Sequence, residues 1–223
     1  MKGVIFDLDG TLVDSAPDIH AAANALLRAM GYQPLAYETV RGFIGNGIPK
    51  LVERVMRTSD IEHSRARHAD LTRKFEHLYA EKPAVKTVLY PGVISTLDAL
   101  KKAGCLMGVC TNKNHGLTVQ VLEGMKIADY FGSVIGGDSL AVRKPDAAPF
   151  FACAKELGAN EVLYVGDSEV DAATAKAANV PFLLFTEGYR KSPVEDIVCD
   201  HSFARFEALP ELVDGLFERT AAA

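Results

Sequence analysis

Val4-Ile5-Phe6-Asp7-Leu8-Asp9-Gly10-Thr11-Leu12-Val13-Asp14 sets a short apolar run directly against two acids. A run that apolar reads as a strand inside a sheet, so carboxylates at its carboxyl end fall on the rim where open α/β folds bind ligands. Strand side chains alternate, which puts Asp7 and Asp9 on one face, where two bare anions repel. A cation between them is expected, and a divalent metal would relieve the repulsion. Gly10 lets the backbone turn sharply and Thr11 adds a hydroxyl. Taken alone, an Asp-x-Asp also suits a strand end entering a turn.

Downstream of this stretch the pattern is helical. Ser15 is placed to cap a helix with Pro17 in its first turn, and Ile19, Ala23, Leu26, Leu27 and Met30 form its apolar stripe up to Gly31. Ile48 to Met56 and Ile61 to Glu81 carry further one-sided apolar faces, so 14–86 reads as all-helical. From Tyr90 onward helices alternate with short apolar strands at 106–110, 133–135, 162–165 and 182–185, and a weak last strand near 201–203. That alternation implies a parallel sheet with right-handed crossovers. The expected helices are 91–103, 116–125, 147–157, 171–178 and 211–217, several closed by Gly104, Gly158 or Asn179.

The fold class is therefore α/β: a Rossmann-like parallel sheet sandwiched by helices, with an all-helical segment inserted after the first strand. The boundaries expected are 1–14 and 85–223 for the core and 15–84 for the insertion, with hinges near 14–16 and 83–88. An insertion at a strand's carboxyl end overhangs the ligand crevice.

Three further strand ends carry polar groups. Leu106 to Cys110 runs into Thr111-Asn112-Lys113, which delivers a hydroxyl and an amide to the rim or caps the next helix. Lys144 precedes Pro145 ahead of an apolar helix; a lysine there is ordinarily solvated. Val162 to Val165 leads into Gly166-Asp167-Ser168-Glu169-Val170-Asp171, whose two aspartates lie four apart, on one face of a helical turn or as its capping acids.

Together, Phe6-Asp7-Leu8-Asp9-Gly10-Thr11-Leu12-Val13-Asp14-Ser15, the Thr111 strand end, Lys144-Pro145 and Gly166-Asp167-Ser168 through Asp171 resemble, in order, the four motifs of the haloacid dehalogenase-like phosphohydrolases. The resemblance spans the whole core. It implies Asp7 as the nucleophile that becomes an aspartyl phosphate and Asp9 as general acid/base. Thr111 and Lys144 would hold phosphoryl oxygens, with Asn112 beside them. Mg2+ would be held by Asp7, Asp167 and the backbone carbonyl of Asp9. Gly10, Thr11, Ser168 and Asp171 would support the site, Asp171 either ligating through water or orienting Lys144. The helical segment resembles the family's cap. Haloacid dehalogenases proper and phosphonoacetaldehyde hydrolases lack an acid at the position of Asp9, which disfavours both, whereas phosphosugar mutases retain both acids.

The segment Val40-Arg41-Gly42-Phe43-Ile44-Gly45-Asn46-Gly47 through Arg54 is the insertion's most distinctive part. Its residues alone favour a turn between two helices over an anion-binding loop. The stretch, and Val134 to Leu140 ahead of Lys144, are similar to bacterial phosphoglycolate phosphatases. That similarity implies 2-phosphoglycolate as substrate, with Arg41 and Asn46 as partners for its carboxylate. Alternatives are another small-metabolite phosphatase, a phosphosugar mutase, or a receiver-type phosphoacceptor, the last opposed by Asp9 and by the helical insertion. His20 is placed to point from the first inserted helix towards the site.

Composition bounds the partners. The 223 residues are 48% hydrophobic, enough for a substantial core, and the net charge of -5 gives no basic footprint for nucleic acid. No apolar run reaches a membrane span, and the first residues are not a signal peptide, so a cytoplasmic protein without a membrane partner is expected. Cys105, Cys110, Cys153 and Cys199 are dispersed and suggest neither disulfides nor a zinc site. The end, Ala221 to Ala223, is expected to fray. Oligomeric state is not legible.

Overall fold

The computed structural model describes residues 1–221. The chain opens with β1 (Lys2–Phe6) and a two-residue strand β2 (Val13–Asp14), then four helices: α1 (Ala16–Ala29), α2 (Tyr37–Arg41), α3 (Ile48–Thr58) and α4 (Arg65–Ala80). β3 (Val88–Leu89) and α5 (Val93–Lys102) follow, then β4 (Leu106–Cys110), α6 (His115–Gly124), β5 (Ser133–Ile135) and α7 (Ala148–Leu157). β6 (Glu161–Gly166), α8 (Glu169–Ala178), β7 (Phe182–Phe185), β8 (His201–Phe203) and α9 (Leu209–Ala221) complete it. Of the end expected to fray, Ala221 belongs to α9, and Ala222 and Ala223 lie outside the described residues.

Six strands form one parallel sheet in the order β5-β4-β1-β6-β7-β8. β1 is central because every residue from Gly3 to Phe6 is buried from both sides, and fully burying Val4, Ile5 and Phe6 contributes roughly 1.5–3 kcal/mol each. Alternation sends Val4 and Phe6 into one face with Leu97 of α5, Val121 of α6 and Val213 of α9. Ile5 enters the other face with Phe150 and Cys153 of α7 and Ala175 of α8. The strand order reverses at β1, so the crevice opens at its carboxyl end, between β4 and β6.

The helical block has a core of its own, built on Leu26, Leu27, Val52, Val55, Met56, Leu71 and Phe75, and Leu117 and Tyr189 from the sheet-bearing part extend it. Where the sequence suggests bare hinges, β2 and β3 pair antiparallel, Val13 with Leu89 and Asp14 with Val88. Asp18 reinforces this junction: its Oδ2 accepts from the amides of Lys86 and Thr87 and from the Thr87 hydroxyl, each at 2.8 Å.

Some local expectations are corrected. α2 is an additional short helix that its five residues could not advertise by periodicity. α4 starts at Arg65 and not at Ile61, because Ser64 takes the N-cap and accepts from the Arg67 amide at 3.1 Å. Ser15 sits at the N-cap of α1 but its hydroxyl does not cap; it donates to Asp9 Oδ1 at 2.5 Å. His20 turns away from the crevice, its Nε2 lying 2.9 Å from the Leu35 carbonyl and 2.8 Å from Asn24 Nδ2, its ring edge-on to Tyr37.

Candidate active site

Register aligns the polar strand ends. Phe6 pairs with Val109 on one side and Val165 on the other, so Asp7 comes level with Cys110 and Gly166, and Thr111 and Asp167 lie one residue beyond. Asp7, Thr111, Lys144, Asp167 and Asp171 are all buried there. Gly10 has φ +90°, and a Cβ on it would lie 2.4 Å from Asp167 Oδ2, so the turn after Asp9 passes against Asp167 only because glycine occupies it.

Lys144 is the hub of one network. Its Nζ donates to Asp171 Oδ1 and to the Tyr164 hydroxyl, both at 2.7 Å, and lies 3.0 Å from Asp7 Oδ1. Tyr164 in turn donates to the Cys110 carbonyl at 2.8 Å. Burial alone would lower the Lys144 ammonium, but the charges of Asp171 and Asp7 override it and hold it above the ordinary lysine range. Asp171 is fixed through its other oxygen, which accepts from the Ser168 amide and hydroxyl at 3.1 and 2.6 Å.

Asp167 accepts from the Thr11 hydroxyl at 3.0 Å and from the Tyr189 amide at 2.5 Å. Burial pushes its carboxyl well above the usual range, and the charges of Asp171 and Asp7 add to the shift. Asp7 is raised from 3.8 to about 6, first by burial and then by Asp171, against the lowering effects of Lys144 and of the Thr111 hydroxyl. One carboxylate oxygen from each of Asp7, Asp167 and Asp171 lies within 4.8 Å of the others. Asp7 Oδ1 is buried without a hydrogen-bond partner, its approach to Lys144 being out of alignment. Three converging buried carboxylates, one with an orphaned oxygen, fit a divalent cation.

Asp9 stands apart from this cluster. Its carboxylate receives Lys113 Nζ at 2.9 and 3.1 Å, in addition to the Ser15 hydroxyl. Lys113 also donates to the Tyr79 hydroxyl on α4 at 2.7 Å, and its ammonium lies 4.5 Å from that ring's centroid. Each acid of the first motif therefore has its own lysine, and no shared cation between their side chains is required. Asn112 Nδ2 ties the sheet rim to the helical block, donating to the Gly45 and Lys144 carbonyls at 3.1 Å each, while its Oδ1 is buried without a partner.

A cavity lies over these residues. Asp7, Asp9, Thr111, Asn112 and Lys113 form its floor, and Ile19, Ile44, Gly45, Gly47, Ile48, Leu51, Phe75 and Tyr79 of the helical block form its walls. Gly45 and Gly47, with φ of +109° and +81°, make the turn between α2 and α3 and also line this cavity. Arg41 does not line it: Nη2 donates to the Gly188 carbonyl at 2.6 Å and the guanidinium lies over the Tyr189 ring. Asn46 lines a neighbouring cleft that also reaches Asp7 and Asp9, and its Oδ1 accepts from Arg54 Nη2 at 2.8 Å.

The sequence reading did not single out Lys113, Tyr79, Tyr164, Tyr189 or Asp18. Lys113 had a signal, lying two residues past Thr111 on the same strand end. The tyrosines had none, since each reads as an ordinary apolar position of its strand, helix or loop. Asp138 accepts from the His115 amide at 2.7 Å at the start of α6.

Buried acids and a lysine at three adjacent strand ends, beneath a helical insertion, define a hydrolase class. Residues 4–185 match the model of the haloacid dehalogenase-like hydrolases, and the chain belongs to that family. It is 46% identical over 213 residues to the phosphoglycolate phosphatase of Cereibacter sphaeroides, covering 96% of this chain and 98% of that one. Identity to the phosphoglycolate phosphatase of Rhodobacter capsulatus is 42% over 216 residues, covering 95% and 96%. Among solved structures it resembles a predicted phosphoglycolate phosphatase from Haemophilus somnus, with a TM-score of 0.88, 31% identity, and coverage of 95% and 97%. No helix of the described residues is long and apolar enough to cross a membrane.

Proposed function

We propose that the protein is a Mg2+-dependent phosphomonoester hydrolase whose substrate is 2-phosphoglycolate, with residues 15–84 acting as its specificity cap. The observation that carries the chemistry is the buried Asp7, whose Oδ1 lies 3.0 Å from Lys144 and has no hydrogen-bond partner. The choice of substrate is supported by the names of relatives that match it over nearly their full length.

In this reading the Asp7 carboxylate attacks phosphorus, the bond to the ester oxygen breaks, and Asp9 supplies the proton that oxygen takes up. Water then attacks the phosphorus of the aspartyl phosphate while Asp9 takes its proton, which releases phosphate and regenerates the Asp7 carboxylate and the protonated Asp9. Thr111 and Lys144 hold the phosphoryl oxygens, and Asn112 keeps the Gly45 turn over them. Asp171 and Tyr164 orient Lys144, and Thr11 orients Asp167. Mg2+ held by Asp7, Asp167 and the Asp9 carbonyl would supply the positive charge that lets an anionic nucleophile approach an anionic ester. The unpaired thiols accord with a cytoplasmic site of action.

The test is phosphate release with Mg2+ from 2-phosphoglycolate beside sugar, nucleotide and aryl phosphates, with Asp7→Asn as control. Preference for 2-phosphoglycolate that vanishes in the variant is expected. Release from other esters alone discards the substrate, and isomerisation of a sugar phosphate without net release points to a mutase.

A further inference from the structure

Lys113 poses a question that the four motifs leave open. Its side chain is 2% exposed, it is the one cation among the residues lining the cavity over Asp7 and Asp9, and the walls around it are largely apolar. A buried ammonium facing such a cavity is expensive unless an anion accompanies it. In this structure the anion is Asp9, the same group that the proposed reaction needs for proton transfer.

Size narrows what else could meet that ammonium. In 2-phosphoglycolate a single methylene separates the ester oxygen from the carboxylate, so a substrate phosphoryl group between Asp7 and Thr111 carries its carboxylate only a few ångströms away. Lys113 follows Thr111 by two residues and its ammonium faces the same cavity. Arg41 is committed to Gly188 and Tyr189, and Asn46 to Arg54. Tyr79 adds a second group: its hydroxyl oxygen accepts from Lys113, and its own hydrogen has no acceptor among the described residues. Burial pushes that phenol up to about 12, so it remains a donor at neutral pH.

We propose that Lys113 and Tyr79 form the subsite for the carboxylate of a small carboxylated phosphomonoester, and that the Asp9 carboxylate fills this subsite when no substrate is bound. The inference rests on the phosphatase reading and gives it a basis for selectivity. An arriving carboxylate takes the ammonium and the phenol, and Asp9 is released towards the ester oxygen. An ester without a carboxylate leaves Asp9 paired with Lys113. Recognition is thereby expressed in turnover as well as in binding.

The experiment measures kcat/KM with Mg2+ for 2-phosphoglycolate and for ethyl phosphate, an alkyl ester of similar length without the carboxylate. Wild type, Lys113→Met and Tyr79→Phe are compared. Wild type is expected to prefer 2-phosphoglycolate, with the ratio falling about 10- to 100-fold in Lys113→Met and several-fold in Tyr79→Phe, the range for a charge-assisted and a neutral hydrogen bond. Equal losses on both esters in Lys113→Met overturn the subsite and leave Lys113 as a positioning residue for Asp9. If Lys113→Met does not fold by circular dichroism, Tyr79→Phe decides, and an unchanged ratio overturns the proposal. A wild type that hydrolyses both esters equally overturns the subsite while the phosphatase survives; one that hydrolyses neither ends both readings.

Discussion

The two lysine networks at the sheet rim differ in what they join. Lys144 links Asp7, Asp171 and Tyr164, all carried by the sheet and its following segments. Lys113 links Asp9 at the end of β1 to Tyr79 on α4 in the helical block. The first network is complete whatever the block does. In the second, the Lys113–Asp9 pair also lies in the sheet-bearing part, and the arm to Tyr79 exists only when the block sits over the crevice. A buried ion pair contributes little net stability but is costly to break, so the first network suits a fixed anion-binding floor. The second suits a contact that responds to what enters the cavity.

The largest effect tests the floor. Asp7→Asn is expected to lower phosphate release by more than about 10³-fold, since removal of a nucleophile leaves only binding and electrostatics. Retention of a tenth of the activity would move the chemistry away from the Lys144 network. Next is the cost of breaking each network. Lys144→Met leaves Asp7 and Asp171 uncompensated and is expected to cost about 3–5 kcal/mol in urea denaturation. Lys113→Met should cost less, because the Asp9 side chain is 12% exposed and retains Ser15. Equal costs would erase the distinction between a closed and a bridging network.

Protonation gives a third test. Asp7 is raised in the folded protein from 3.8 to about 6, so the folded state holds this proton more tightly than the unfolded chain. The stability it contributes is full below pH ~4 and is lost as pH rises through about 6, up to about 3 kcal/mol in metal-free protein. Mg2+ should therefore raise the thermal midpoint more at about pH 7 than at about pH 5. An equal rise at both would show that the acid cluster does not hold the ion. The smallest effect concerns the helical block: Arg41→Ala, which removes a guanidinium bound to Gly188, should change KM for 2-phosphoglycolate by less than about 3-fold. A rise above about 10-fold would return carboxylate recognition to Arg41.

How legible each part was follows from how far its partners lie along the chain. The strands at 106–110 and 182–185 have the limits that their apolar runs suggest, because burial on both faces requires uninterrupted apolar residues. Asp7, Thr111 and Asp167 follow such strands directly, so placing the strand places the acid or hydroxyl. Ser15 shows the opposite case: its local pattern suits a helix cap, yet its hydroxyl serves Asp9. His20 likewise has a local reading that its bonds to Leu35 and Asn24 overturn.

By itself the sequence determined the parallel sheet, the helical insertion and the set of acids on the rim, because each is written in contiguous residues through alternation, helical periodicity and strand-end position. Only the tertiary structure decided which lysine meets which acid, where Arg41 goes, and that Tyr79 closes over Lys113. Arg41 and Gly188 are 147 residues apart, and Tyr79 and Lys113 are 34 apart. Such pairings depend on how a helical block lies across a sheet and on long side chains reaching between them, and no local period encodes that geometry.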